Sequence, residues 1–91
     1  MELIPLSIVS SQTVVYVNAT TAVETVLVWV AAHGADGAVA VARPKDTPTT
    51  TFTIVDGAPA VTIKCAVPPN EAVLLLPGSA GTLAVRVTDS K

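Results

Sequence analysis

Only one cysteine, Cys65, and one histidine, His33, occur in the 91-residue chain. A lone cysteine excludes an internal disulfide. Protein metal centres need three or four ligands drawn mainly from His, Cys and carboxylates. The two-histidine, one-cysteine set of a blue-copper site cannot be assembled from this supply. Charge is equally scarce, at 13% of residues with a net charge of −2, against roughly 25% charged residues in an average soluble protein. The five basic residues, Arg43, Lys45, Lys64, Arg86 and Lys91, are scattered among acids. No stripe forms that could neutralise a phosphate backbone, so nucleic acid is not an expected partner. The longest purely apolar run is Val26 to Ala32, far short of the ~20 residues a membrane helix needs, and no membrane partner is expected. The opening MELIPLSIVSSQ has no positive start and is interrupted by Pro5, which argues against a signal peptide.

Aromatics are limited to Tyr16, Trp29 and Phe52, and the strong helix formers are few. In their place stand 16 valines, 14 alanines and 12 threonines. Stiff β-branched side chains favour a pleated surface. Turn signals recur every 8 to 12 residues, the spacing of a sandwich or barrel. The expectation is an all-β chain: a compact antiparallel β-sandwich, jelly-roll or immunoglobulin-like, with seven to eight strands. Residues 12–91 form the single sandwich domain, and residues 1–11 form an N-terminal arm or an edge strand, because Pro5 cannot serve a central ladder.

The strands follow from period-two alternation. Thr82–Thr88 turns Leu83, Val85 and Val87 inward, with Ala84 and Arg86 outward. Ala60–Ala66 turns Val61, Ile63 and Cys65 inward, Thr50–Val55 turns Phe52 and Ile54 inward, and Ala38–Ala42 turns Val39 and Val41 inward. Thr13–Val17 is a further strand, and Leu3–Val9 is another that Pro5 confines to an edge or an arm. Two runs break the alternation: Val23–Val30 is apolar on both faces over its second half, and Glu71–Leu76 is similar. Each is either a central strand covered on both sides or a strand at a subunit contact. Asp56-Gly57 reads as a hairpin turn between Thr50–Val55 and Ala60–Ala66. Arg43 to Pro48 is a longer polar loop, Pro68-Pro69-Asn70 links two strands, and Pro77 to Gly81 makes the last turn.

No catalytic, cofactor-binding or metal site is expected, and no enzyme. His33 and Asp36 lie three apart in AAHGADGAVAVA, but two glycines flank them and a strand begins at Ala38. This is a turn, with Asp36 placed to cap its own backbone. Cys65 faces inward, where a thiol is a small inert hydrophobe rather than a nucleophile paired with His33. Glu24 and Glu71 mark strand beginnings. Trp29 is placed in the core. Asn18-Ala19-Thr20 matches the glycosylation acceptor pattern by chance. What remains is a surface: Ala38, Ala40, Ala42, Ala84, Thr51, Thr53, Thr62 and Thr88 point outward and build a flat, uncharged face suited to lying against another.

From Asn18 to the C-terminus the sequence resembles a family of small phage virion β-sandwich proteins. The parts that carry the likeness are NATTAVETVLVWVAAHGADGAVAVA, AVPPNEAVLLLPG and GTLAVRVTDSK. The family's turn before the last strand carries an aspartate, and Ser79-Ala80-Gly81-Thr82-Leu83 does not. The resemblance implies a non-enzymatic capsid decoration (cement) protein made in the host cytoplasm and carried on the capsid surface of the virion. It also implies a homotrimer contacting the major capsid protein or other virion proteins. A tail, neck or fibre-attachment component is the near alternative, and an extracellular immunoglobulin-like ligand-binding module the more distant one.

Overall fold

Period-two alternation builds eight strands: β1 (Glu2–Val9), β2 (Thr13–Val17), β3 (Glu24–His33), β4 (Gly37–Ala42), β5 (Thr50–Ile54), β6 (Val61–Val67), β7 (Ala72–Leu76) and β8 (Thr82–Asp89). The computed structural model describes residues 2–42 and 50–89, so the Arg43–Pro48 loop expectation lies outside the described residues. No helix occurs among them. Two four-stranded antiparallel sheets pack face to face, in the orders β1-β8-β3-β6 and β2-β7-β4-β5. Strand 1 therefore pairs with 8, 2 with 7, 3 with 6 and 4 with 5. This nested order is the eight-stranded jelly-roll arrangement, which settles the choice left open between jelly-roll and immunoglobulin-like.

The core lies between the sheets. Val26, Val28 and Val30 of β3, Leu83, Val85 and Val87 of β8, Val39 and Val41 of β4 and Val73 and Leu75 of β7 form one buried cluster with Val15, Ile54, Cys65 and Val67. Burying a valine or leucine side chain contributes about 1.5–3 kcal/mol, so one layer of aliphatic residues holds the sandwich with almost no aromatic help. Both doubly apolar runs are internal strands. On β7 the residues Ala72 to Leu75 are all buried, whereas on β3 the outward Leu27, Trp29 and Ala31 are only half-buried. Pro5 sits where expected, on the edge strand β1, within the register shift between Ile4 and Ser7 in its pairing with β8.

Two expectations change. Asp56-Gly57 does not close a hairpin, because β5 pairs with β4 in one sheet while β6 pairs with β3 in the other. The turn chemistry itself was legible: Gly57 has φ +77° and the Ala58 N–H donates to the Val55 carbonyl at 3.3 Å. The chain uses that turn to cross between sheets, and Pro59 and Ala60 lengthen the connection. Ala40 and Ala42 point outward from the second sheet yet are buried, in a small cluster with Leu74. An alanine is easily overhung. Ala40 lies in register between Leu74 of β7 and Thr51 of β5, both larger than itself.

Candidate functional site

The outward positions predicted to form one flat face belong to two. Ala38, Ala40, Ala42, Thr51 and Thr53 lie on the second sheet, and Thr62, Ala84 and Thr88 on the first. The second sheet's outer centre is closed within the chain, since Leu74, Ala40 and Ala42 are buried. The first sheet's outer face is open, and its strand register sets it out in three rows. Across the middle row, Arg86 pairs with Trp29, which pairs with Thr62. The row on one side runs Glu2, Thr88, Leu27, Lys64, and the row on the other runs Ile8, Ala84, Ala31.

Trp29 is therefore not a core residue. It sits half-buried on this outer face. In the run Val26 to Val30 the valines at 26, 28 and 30 take the inner side, and pleating puts 27 and 29 on the other. Strand parity outranks the general tendency of a lone tryptophan to be buried, and it was the signal that could have found the site. Leu6 and Ile8, on β1, are 63% and 73% exposed. Leu6, Trp29 and Arg86 line a hollow of about 250 Å³. The Arg86 Nε–H donates to Glu2 Oε2 at 2.8 Å, and both side chains stay solvent-accessible. The face thus combines exposed apolar side chains, one aromatic plane and a surface ion pair.

The other sites weighed on sequence are resolved into structure. His33 is exposed at the end of β3, opposite Thr82. Cys65 lies opposite Val26, seven positions back along β3, and at ~3.3 Å per residue this puts the thiol roughly 23 Å from His33. They cannot act as a pair. Burial pushes the Cys65 thiol pKa above its ordinary value. Tyr16 also titrates higher than usual, through burial and the nearby carboxylates of Glu24 and Asp89. Glu24 opens β3 in one sheet and Glu71 precedes β7 in the other. Among the described residues no three His, Cys, Asp or Glu side chains converge as metal ligands, and no helix is long and apolar enough to cross a membrane.

Asp36 does not cap its own backbone. Its Oδ1 accepts the Asp56 N–H at 2.7 Å, and Asp56 Oδ1 in turn accepts the Gly34 N–H at 2.9 Å. The His33–Gly37 turn is strapped to the Asp56 turn, with Gly34 at φ +90° in a region glycine enters without penalty. Asn18 has a structural role instead. It is fully buried, and its Nδ2 donates to the carbonyls of Ala22 and Val67, both at 2.8 Å. Its Oδ1 accepts from the Thr20 N–H and hydroxyl. Both amide hydrogens and the amide oxygen are engaged inside the fold.

No family model matches the chain, and comparison with curated proteins and with solved structures gives no match either.

Proposed function

We propose that the chain is a non-enzymatic structural protein of a phage virion: a capsid decoration (cement) protein. On this reading it is made in the host cytoplasm, binds the outer capsid surface through contacts with the major capsid protein, and stabilises the head. One observation carries the reading. The open sheet face holds Leu6 and Ile8 at 63% and 73% exposure beside half-buried Leu27 and Trp29. Contiguous apolar exposure of this kind marks an interaction surface, and the sparse charge of the chain fits a protein whose surface is partly covered in use. The jelly-roll order is in keeping, being shared by viral capsid domains, though also by lectins and cupins. Fold alone therefore does not choose between them. Many weak contacts repeated around a closed shell would add by avidity.

The test is cosedimentation of purified protein with heads lacking it, followed by a heat challenge of the heads. Binding with raised head stability is expected. Sedimentation with tails and not heads would move the assignment to a tail, neck or fibre component. A second reading, an extracellular ligand-binding module, is favoured by one feature: Trp29 lies outward beside Arg86, as a stacking platform would. Glycan binding by the isolated monomer would favour it over the virion role.

A further inference from the structure

We propose that the outer face of the first sheet is a two-fold interface between copies of this chain. Each Trp29 seats in the hollow lined by Leu6, Trp29 and Arg86 of the partner subunit. The inference does not depend on the virion reading.

Strand register sets the geometry of the pair. The sheet order is β1-β8-β3-β6, so its midline runs between β8 and β3. A two-fold axis lying in the interface along the strands exchanges β8 with β3 and β1 with β6. Rows map onto themselves, reversed end for end. The middle row then places the partner's Trp29 over Arg86, inside the hollow of about 250 Å³, and Arg86 over the partner's Trp29. An arginine on an indole face is attractive, more so when desolvated. The row that runs Glu2, Thr88, Leu27, Lys64 places Glu2 over the partner's Lys64 and Lys64 over the partner's Glu2. Lys64 is exposed and has no ion-pair partner among the described residues. Glu2 gives one oxygen to Arg86, and its carboxylate has a second for another donor.

The alternative axis, across the strands, maps the Glu2 row onto the Ile8 row. It would bury the Glu2–Arg86 ion pair with no new donor for Glu2, whose carboxylate would meet Ile8. It would also set Arg86 over the partner's Arg86, like charge on like charge. Charge complementarity therefore selects the strand-parallel axis. A two-fold surface must be self-complementary, and here aromatic knob meets hollow and acid meets base, each twice. The broad face of the molecule, with principal extents of 37 and 28 Å, gives room for the ~800 Å² per partner of a standard interface. The assembled unit is then a pair, where the family resemblance implies a trimer.

Sedimentation of the full chain from about 1 µM to about 1 mM covers the affinities of weak and moderate interfaces. The expected result is a rise from 9.2 kDa to twice that mass. The emission of the single tryptophan should shift to the blue over the same concentrations. Trp29→Thr, which keeps a strand-favouring side chain, should weaken association about 30-fold or more, as for a central hot spot. The geometry has a second, sharper test. Lys64→Glu and Glu2→Lys should each self-associate several-fold more weakly, because like charges then face each other. An equimolar mixture of the two single variants should pair with both contacts attractive. Circular dichroism confirms that each variant keeps its sheets, and the charge-swap mixture decides the matter if Trp29→Thr does not fold. A monomer at every concentration overturns the proposal. So does a trimer, a dimer indifferent to Trp29→Thr, or a mixture that associates no better than its components.

Discussion

Asn18 Nδ2 donates to the Val67 carbonyl at 2.8 Å, a bond that joins the end of β2 in one sheet to the end of β6 in the other across 49 residues of sequence. The same side chain holds Ala22 and Thr20 on the way into β3. The backbone of Asn18 also engages β7's approach, its N–H donating to the Glu71 carbonyl and its carbonyl accepting from Asn70, both at 2.9 Å. One residue thus fixes where three connections leave the sandwich.

Asn18→Ala should accordingly be among the most damaging single changes in the chain. It strands the buried Val67 carbonyl, at a cost of ~1–3 kcal/mol for a buried group left unpaired, and leaves the part-buried Thr20 N–H to water. Asn18→Asp should also destabilise, since a carboxylate accepts only and would face two carbonyls. Urea denaturation with unchanged m-value checks both. A stability change under about 0.5 kcal/mol for Asn18→Ala would show that water replaces the amide freely.

Two glycines should respond in opposite degree to alanine. A Cβ on Gly78 would lie 2.2 Å from the Asp36 carbonyl oxygen, which belongs to the backbone of the neighbouring turn. Gly78→Ala must displace that turn and should cost more than about 3 kcal/mol, the scale of severe core damage. At Gly57 nothing lies within 4 Å, and only its φ of +77° resists a side chain. Gly57→Ala should cost about 1–2 kcal/mol. Thermal melts of the two variants side by side provide the comparison.

Cys65 predicts a pH dependence. Burial raises the thiol pKa above its ordinary value of 9.0, so the folded state holds its proton to higher pH than the unfolded chain does. The contribution is complete below the unfolded value and is lost as pH rises towards the folded one. Stability should fall from about pH 9 upward, and Cys65→Val, close in size and unable to ionise, should flatten the lower part of that slope. Tyr16, also raised, adds its own decline at higher pH in both proteins. The native thiol should react slowly with a disulfide reagent at neutral pH. Equal reactivity in folded and urea-unfolded protein would contradict the burial.

Alternation and turn chemistry made most of the fold legible. Leu83, Val85 and Val87 face inward on β8 as the pattern T-L-A-V-R-V-T requires, and Pro5 marks the edge. Pairing was not legible, because Asp56-Gly57 makes a tight turn whether the chain then folds back on β5 or crosses to the other sheet. Only Val61–Val67 finding β3 as its neighbour decides that, and it is a long-range contact. The open face was legible in principle. The usual burial of tryptophan points Trp29 to the core, whereas its parity against Val26, Val28 and Val30 gives the side directly. Asn18 was hidden for a different reason. A buried amide is recognised by the carbonyls that surround it, and Val67 lies too far away in sequence to point to it.

The His33–Asp36 pair supplies the last prediction. If the turn is structural, its two ends should behave differently. His33 is exposed at the strand end, and His33→Ala should leave stability within about 0.5 kcal/mol, as surface changes do. Asp56→Ala removes the acceptor of the Gly34 N–H, and Asp36→Ala removes the acceptor of the Asp56 N–H. Each should cost about 1 kcal/mol or less, because the groups are exposed and water can substitute. The local effect should be larger than the global one: amide exchange at Gly34 should quicken in Asp56→Ala, and at Asp56 in Asp36→Ala, with the β3 core amides unchanged. Slow exchange at both amides in both variants would mean that the packing of Gly78 and Gly81 against Ala35 and Asp36, rather than the carboxylates, holds the turn.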